Sequence, residues 1–270
     1  MKCIGNIRKM RAILDEEVQY ELPLYSVLEP HETIQMNELV GEQIKIEFGH
    51  EINCVVTGKK IRKTYGDGMS YDAFMTSPLA SPSIIRPELS RIHEGIALRD
   101  EKWEREHHLQ PHVVYLSKTS GVKVGVTRQT QVPSRWIDQG ATEAIILAEV
   151  PYRQLAGLIE VELKQYVSDK TNWRNMLKNI CAEADLLETK ESMIEHLPEE
   201  FYDFISDDDD VTEINYPVIS YPDKVKSIKL DKVPIIEKKL VGIKGQYLIF
   251  EDETVMNMRS HSGYKVAIEV

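Results

Sequence analysis

The segment from Pro111 to Lys178 constrains the fold of this chain more than any other. Two β-branched runs, His112–Leu116 and Val122–Thr127, are separated by the polar sequence Ser-Lys-Thr-Ser-Gly, and this pattern predicts a β-hairpin. A short segment with Arg and Trp follows and predicts a helix, and EAIILAEV (143–150) predicts a third strand. From residue 154 onward, apolar residues recur near helical spacing, which predicts an amphipathic helix. The predicted order is therefore β-β-α-β-α.

Motifs within this segment resemble those of the GIY-YIG nuclease module. The first signature of that module ends in a Tyr, as Val113-Val114-Tyr115 does, and the second ends in a Gly, as Lys123-Val124-Gly125 does. Arg135 matches the Arg of its first helix. The sequence from Ala156 to Leu163, AGLIEVEL, is similar to the helical segment that carries its metal-binding Glu. The resemblance covers roughly a quarter of the chain.

The resemblance implies metal-dependent cleavage of phosphodiesters in nucleic acid, with structured DNA as the expected substrate and RNA as an open alternative. It implies a single Mg²⁺ or Mn²⁺ ion bound by Glu160. The catalytic side chains that it implies are Tyr115, Lys123, Arg135 and Glu160. We expect further substrate contacts from Arg128, Gln139 and Asn172.

The chemistry of cleavage fits these residue types. Breaking a phosphodiester needs a base for the attacking water, positive charge for the phosphate oxygens and help for the leaving oxygen. Glu160 offers the hard oxygen ligand that Mg²⁺ prefers, and Arg135 offers a planar cation that matches phosphate. Tyr115 is the implied base, and a phenol with a pKa near ~10 needs a nearby cation to ionise. The pairing of the two hairpin strands places Lys123 where it can supply this cation.

Two positions depart from the nuclease pattern. Lys123 stands where the commonest pattern has a second Tyr, and Gln139 stands where many relatives have His. Gln cannot carry charge or shuttle a proton, so a second interpretation is a non-catalytic module that binds nucleic acid or protein. A third is an adaptor that recruits basic partners. Taken alone, Tyr115 also fits a core aromatic residue, and Glu160 also fits a surface carboxylate on a helix.

Charge is distributed unevenly along the chain. The net charge of −11 argues against a protein that coats nucleic acid indiscriminately. Residues 111–180 nevertheless hold nine Lys or Arg against six Asp or Glu, while 181–215 hold thirteen acidic residues against Lys190 alone. Most of the negative charge therefore lies outside the predicted site. The acidic run 207–210 lacks the spacing of a calcium loop and is expected to be solvated.

The predicted fold class is α+β. We expect the nuclease-like module to be inserted between β-rich N- and C-terminal segments that join in one small barrel-like domain. The wider chain is also similar to an uncharacterised bacterial family, through LQPHVVYL, RWIDQGA and DKTNWR. The predicted segments are 1–65 (β-rich), 66–110 (irregular insert), 111–180 (nuclease-like module), 181–215 (acidic and helical) and 216–270 (β-rich).

The insert at 66–110 resembles a degenerate zinc ribbon. Cys54 has no second thiol nearby, and hydroxyl groups are poor zinc ligands, so no zinc is expected. The three scattered cysteines indicate reduced thiols and a cytoplasmic location. No membrane span or signal peptide is expected. The residue types leave the oligomeric state open. Four histidines are expected to be solvated or hydrogen-bonded rather than metal-bound: His93, His107, His108 and His112.

Overall fold

A computed structural model describes residues 2–167 and 170–270 of the chain. The strands within these residues are β1 Lys2–Ile7, β2 Arg11–Ile13, β3 Gln19–Ser26, β4 Glu29–Gln35, β5 Gln43–Asn53, β6 Lys60–Ile61, β7 His112–Lys118, β8 Val122–Arg128, β9 Glu143–Val150, β10 Thr212–Glu213, β11 Lys226–Ser227, β12 Ile235–Lys244, β13 Tyr247–Phe250, β14 Thr254–Asn257 and β15 Tyr264–Glu269. The α-helices are α1 Tyr71–Thr76, α2 Pro82–Ile85, α3 Glu101–His108, α4 Ser134–Asp138, α5 Arg153–Leu163, α6 Trp173–Leu177 and α7 Leu186–Ile194. The predicted α+β class is confirmed. None of the described helices combines the length and the apolar character needed to cross a bilayer.

The chain divides into two compact units, one formed by residues up to 75 together with 215–270, and the other by residues 76–214. In the first unit, eleven strands form one sheet in the order β11-β14-β13-β12-β5-β15-β1-β3-β2, with β4 beside β3 and β6 beside β5. The sheet curls into a half-barrel. Strands from both β-rich segments therefore alternate in one sheet.

Strand β5 shows why the first unit folds in this way. Ile44, Ile46 and Phe48 are buried and alternate with more exposed residues, so one face of the strand packs on the core. The sequence predicts a turn at Gly49-His50, but these residues lie inside β5. Between its pairs with Tyr264 and Val266, β5 has more residues than β15. A bulge therefore accommodates the turn-like residues without ending the strand.

The N-terminal strands also differ from the prediction. The run Ile4–Leu14 predicts one strand, and the structure has β1 and β2 separated by residues 8–10. Strand β4 is absent from the prediction, because Glu29–Gln35 is polar and buries only Ile34. It pairs with β3 alone, at the edge of the sheet. An edge strand with one buried residue gives almost no hydrophobic alternation to detect.

The second unit carries the predicted β-β-α-β-α order. Its four-stranded sheet has the order β10-β9-β7-β8, and every pairing is antiparallel. One face of the β7–β8 hairpin packs Leu116 and Val124 in the same apolar cluster as Ile159 and Leu163 of α5. The helix is therefore held on the sheet by its apolar stripe, and its polar positions are fixed relative to the strands.

Short helices replace irregular chain in much of the predicted insert at 66–110. The boundary between the two units falls inside it, between residues 75 and 76. After α1, a three-residue helical turn at 78–80 precedes α2, and two further turns at 87–89 and 92–94 follow α2. A Cβ on Gly157 would lie 2.2 Å from the Glu88 nitrogen. This glycine therefore lets the backbone of α5 approach the turn at 87–89 directly.

Candidate active site

Tyr115 lies in the middle of β7 and is completely buried. Its hydroxyl donates to Oε1 of Gln139 at 3.0 Å, and its ring lies 6.0 Å from that of Trp136 between centroids. Gly125 is its direct partner in the β7–β8 ladder. A Cβ on Gly125 would meet the Tyr115 oxygen at 2.6 Å. The absence of a side chain on β8 is therefore what makes room for the phenol.

Arg135 and Glu160 act electrostatically on this phenol. Burial raises the pKa of Tyr115, the charge of the Arg135 guanidinium lowers it, hydrogen bonding with Gln139 and Arg135 also lowers it, and the Glu160 carboxylate raises it. Arg135 lies on helix α4, and Gln139 is the C-cap residue of that helix. Glu160 lies on α5. Three other predicted site residues therefore act on the Tyr115 phenol.

Glu160 occupies the sheet side of α5 rather than its solvent side. It is 8% exposed and forms an ion pair with Lys164, one turn later, at 3.2 Å. Its neighbour Ile159 is fully buried in the core. The interpretation of Glu160 as an ordinary surface carboxylate is therefore wrong.

Lys123 shares the Tyr115 face of the hairpin. It pairs with Ser117 in the ladder, two residues along β8 from Gly125, and residues two apart on a strand point to the same side. It is 6% exposed. The sequence predicts that Tyr115, Lys123, Arg135 and Glu160 line an open cleft. In the structure Tyr115, Lys123 and Glu160 are buried, because Tyr115 packs as a core aromatic residue and the cluster forms around it below the surface.

Asn172 lies apart from this cluster. Its side chain accepts from the Asn175 nitrogen at 3.3 Å and caps the start of α6. Its backbone nitrogen donates to the Ser120 hydroxyl at 2.8 Å, in the turn of the hairpin. Within the described chain, its hydrogen bonds thus fix α6 to the hairpin, and none of them joins it to Tyr115, Arg135 or Glu160.

A pocket of about 220 Å³ lies beside the cluster and shares Arg135 with it. Arg128, at the end of β8, and Arg153, the first residue of α5, line the same pocket. Its other polar and aromatic lining residues are Trp103, His107, His108, Thr127 and Gln131. Three guanidinium groups thus meet at one concave surface.

Arg153 is the most firmly held of the three arginines. Its Nε donates to the Ser83 carbonyl at 2.8 Å and its Nη2 to the Ile84 carbonyl at 3.0 Å. Burial lowers the pKa of Arg153 to about 10; the Glu160 carboxylate opposes this shift, while the Arg135 and Arg128 charges add to it. The guanidinium is therefore fixed by α2 and stays charged at neutral pH.

The family model for DUF2797, described as a protein of unknown function, matches residues 41–266. The chain belongs to this family. No curated protein and no solved structure matches the chain. The DUF2797 match spans all seven predicted site residues and Arg153.

The four histidines expected to be solvated or hydrogen-bonded all have partners within this DUF2797 chain. His93 stacks on Tyr152 with ring centroids 4.5 Å apart, and His107 donates from Nδ1 to the Trp103 carbonyl at 2.9 Å. His112 Nδ1 donates to the Gln110 carbonyl at 2.7 Å, and His108 Nδ1 lies 3.0 Å from the Ser90 hydroxyl.

Two of these four histidines, His108 and His112, are buried and neutral. Burial lowers the pKa of His108 to about 3, with the Arg153 charge as the next cause, and lowers that of His112 to about 4. Within the described residues, Nε2 of each ring is buried without a hydrogen-bond partner. His108 also lines the arginine pocket.

The donor set limits how a divalent cation fits this DUF2797 site. Among the described residues, no group of three or more His, Cys, Asp or Glu side chains could hold a metal. The charge of the Glu160 carboxylate acts on Tyr115. Mg²⁺ commonly uses one or two carboxylates and completes its shell with water and substrate phosphates. The residues thus fit an ion completed by substrate, rather than one enclosed by protein.

Arg153 is the residue that the sequence interpretation overlooked. A signal was present, because a cation at the first position of a helix opposes the helix dipole. An arginine at this electrostatically unfavourable position indicates that its charge has a role other than stabilising the helix. The carbonyls that hold Arg153 come from α2, about 70 residues earlier, and no local pattern could have identified them.

Proposed function

We propose that the unit formed by residues 76–214 hydrolyses phosphodiesters in nucleic acid, with the chemistry of the GIY-YIG module and DNA as substrate. The observation that carries this proposal is the double position of Arg135. It lines the arginine pocket, and its charge acts on the Tyr115 phenol, as the charge of Glu160 also does. A phosphate bound to Arg135 would therefore lie beside both implied catalytic groups.

Arg135 is suited to bind the scissile phosphate. No carboxylate lies within ion-pairing distance of it among the described residues, so its charge is not neutralised before substrate arrives. A guanidinium donates two parallel hydrogen bonds to phosphate oxygens. Charge that accumulates on those oxygens during cleavage would strengthen the same contacts.

Glu160 would hold one Mg²⁺ or Mn²⁺ together with substrate oxygens. When bound, the ion supplies positive charge to the phosphate and to the leaving oxygen. The Lys164 ammonium, 3.2 Å from Glu160, would have to move away, because a cation competes with another cation for the carboxylate. Lys164 is the C-cap residue that follows α5 and is half-buried, so a change of its rotamer would release the carboxylate.

Tyr115 would accept the proton of the attacking water. Its hydroxyl proton is directed to Gln139, and its raised pKa keeps the phenol neutral in the free protein. Base catalysis would therefore need the positive charge of Lys123 or a bound divalent ion to lower this pKa. Slow cleavage that accelerates at alkaline pH follows from this arrangement.

The alternative is a module that binds nucleic acid without cutting it. The observation that favours it is the burial of Tyr115, whose hydroxyl is already engaged by Gln139. A phenol without solvent contact cannot meet a water molecule unless the site rearranges. Under this alternative, the arginine pocket alone would account for nucleic-acid affinity.

A cleavage assay with a matched pair of variants tests the proposal. Single-stranded, duplex and branched DNA and RNA of the same length are incubated with the protein and either Mg²⁺ or Mn²⁺. We expect slow cleavage of branched or single-stranded DNA, abolished in Glu160→Gln, which keeps the side-chain shape. Glu162→Gln on the same helix is the control and should cut as the wild type does.

The outcomes separate the two functions. Cleavage that survives Glu160→Gln would indicate a contaminating nuclease and would refute the catalytic proposal. Salt-sensitive binding without cleavage of any substrate, in either metal, would establish the binding module instead.

A further inference from the structure

The arginine pocket carries more positive charge than one internal phosphate needs. Arg128, Arg135 and Arg153 all line it, and within the described residues none of them has a carboxylate within ion-pairing distance. A phosphodiester carries one negative charge, whereas a phosphomonoester carries about −1.5 to −2 at neutral pH. Three guanidinium groups therefore match a terminal phosphate better than an internal one.

The pocket is built rather than incidental. Arg153 is 9% exposed, and two of its five N–H donors are committed to the Ser83 and Ile84 carbonyls. The remaining donors stay available in a fixed position. His108 is 2% exposed, lines the same pocket, and has a buried Nε2 without a partner among the described residues.

The pocket is also large enough for more than a phosphate. Its volume of about 220 Å³ is far above the ~10–15 Å³ that a single water molecule needs. Leu79, Ile84 and Val126 form apolar parts of its wall. Such a surface suits the carbon atoms of a sugar, while the arginines suit the phosphate attached to it.

We infer that this pocket binds the phosphomonoester at the end of a nucleic-acid strand, with Arg128 and Arg153 holding the terminal phosphate. The inference deepens the proposed function, on which it rests for the nature of the ligand, by naming strand ends as the substrate class. A 5′-phosphate and a 3′-phosphate present the same dianion, so the experiment below distinguishes them. Arg135, whose charge also acts on the Tyr115 phenol, would link the bound end to the cluster around Glu160.

The test is a binding measurement in EDTA, where no cleavage can interfere. One labelled single-stranded DNA sequence is prepared with a 5′-phosphate, with a 3′-phosphate, or with hydroxyls at both ends, and its affinity is measured by fluorescence anisotropy. We expect one phosphorylated end to bind about tenfold more tightly than the hydroxyl form, because charge-assisted hydrogen bonds are lost without it. Inorganic phosphate should compete with the preferred end.

Variants locate the preference within the pocket. Arg128 is half-buried and ends a strand, so Arg128→Ala should fold and should remove most of the end preference. Arg105→Ala is the control, since Arg105 pairs with Glu101 at 2.8 Å on the exposed side of α3 and has equal charge. The Arg105→Ala variant should show the same ratio of affinities for phosphorylated and hydroxyl ends as the wild type.

Equal affinity of the wild type for all three ends would overturn the inference, and so would a preference that persists in Arg128→Ala. The same oligonucleotides with Mg²⁺ give the cleavage result separately. End-dependent binding without cleavage would refute only the proposed hydrolysis. Cleavage without end preference would refute only the assignment of the pocket.

Discussion

The Tyr115 phenol occupies the space that a side chain at Gly125 would fill: a Cβ there would lie 2.6 Å from its oxygen and 2.7 Å from Cζ. The two residues are direct partners in the β7–β8 ladder. The ring therefore crosses the neighbouring strand and brings its hydroxyl to Gln139. The phenol can take this position only because residue 125 has no side chain.

Gly125→Ala should destabilise the protein by about 1 to 3 kcal/mol, because the new methyl group overfills a packed site. Urea denaturation of the purified variant measures this change. Gly121→Ala is the control, since a Cβ at Gly121 would meet no atom within 4 Å. In a Tyr115→Ala background the cost of Gly125→Ala should largely disappear. An equal cost in both backgrounds would place the strain elsewhere.

Arg135→Lys should reduce the cleavage rate more than it reduces substrate affinity. Lysine keeps the charge but loses the paired hydrogen bonds that match phosphate geometry, so the loss should be greatest in the transition state. We expect a rate at least tenfold lower, with affinity changed less than threefold, as order-of-magnitude values for one such contact. Single-turnover rates and anisotropy measure the two quantities. A loss confined to affinity would assign Arg135 to binding only.

The cleavage rate should rise with pH through the neutral and mildly alkaline range. The pKa of Tyr115 is raised above its ordinary value, mainly by burial. The ionised fraction of such a phenol grows about tenfold per pH unit below its pKa. Rates measured between about pH 7 and pH 9 should follow this increase. A slope that persists unchanged in Tyr115→Phe would show that another group loses the proton.

Acid should destabilise the second unit through its buried histidines. Burial lowers the pKa of His112 to about 4 from an ordinary value of 6.5. The unfolded chain thus takes up the proton first, and stability is lost as pH falls from about 6.5 towards about 4. This one group accounts for about 3 kcal/mol over that range, and His108 acts in the same direction.

Urea denaturation at several pH values measures this loss. His112→Phe removes the titrating group and should flatten the dependence between pH 6.5 and pH 4 by about the amount given above. His196→Gln is the control, because His196 is exposed and stacks on Tyr166, and it should keep the wild-type dependence. An unchanged dependence in His112→Phe would contradict the assignment.

Local pattern was sufficient to predict the hairpin and the helix that packs on it. The predicted runs at 112–116 and 122–127 correspond to β7 and β8, which extend to Lys118 and Arg128. Alternation and turn chemistry are properties of neighbouring residues, and so they are visible in the sequence. Helix α5 ends at Leu163, so Tyr166, which the spacing places on the apolar stripe, lies beyond it and is exposed.

Contacts between distant segments could not be predicted in this way. Lys190 appears in the sequence as the one cation of an acidic segment, yet it is 1% exposed. Its Nζ donates to the Ser206 and Asp208 carbonyls and to Asp209 Oδ1. The chain must fold back by 16 to 19 residues for these contacts to form. Part of the acidic run is thus tied to α7, where the sequence predicts only a solvated loop.

The interleaved sheet of the first unit has a consequence for synthesis on the ribosome. Strand β5 pairs with β12 and β15, and β1 pairs with β15, so the early strands lack these neighbours until the last part of the chain has emerged. At ordinary translation rates this delay is on the order of ten seconds or more. The second unit has all its strands by residue 213 and can form during that interval. Nascent β5, with Ile44 and Ile46 unprotected, is the segment on which a chaperone would act first.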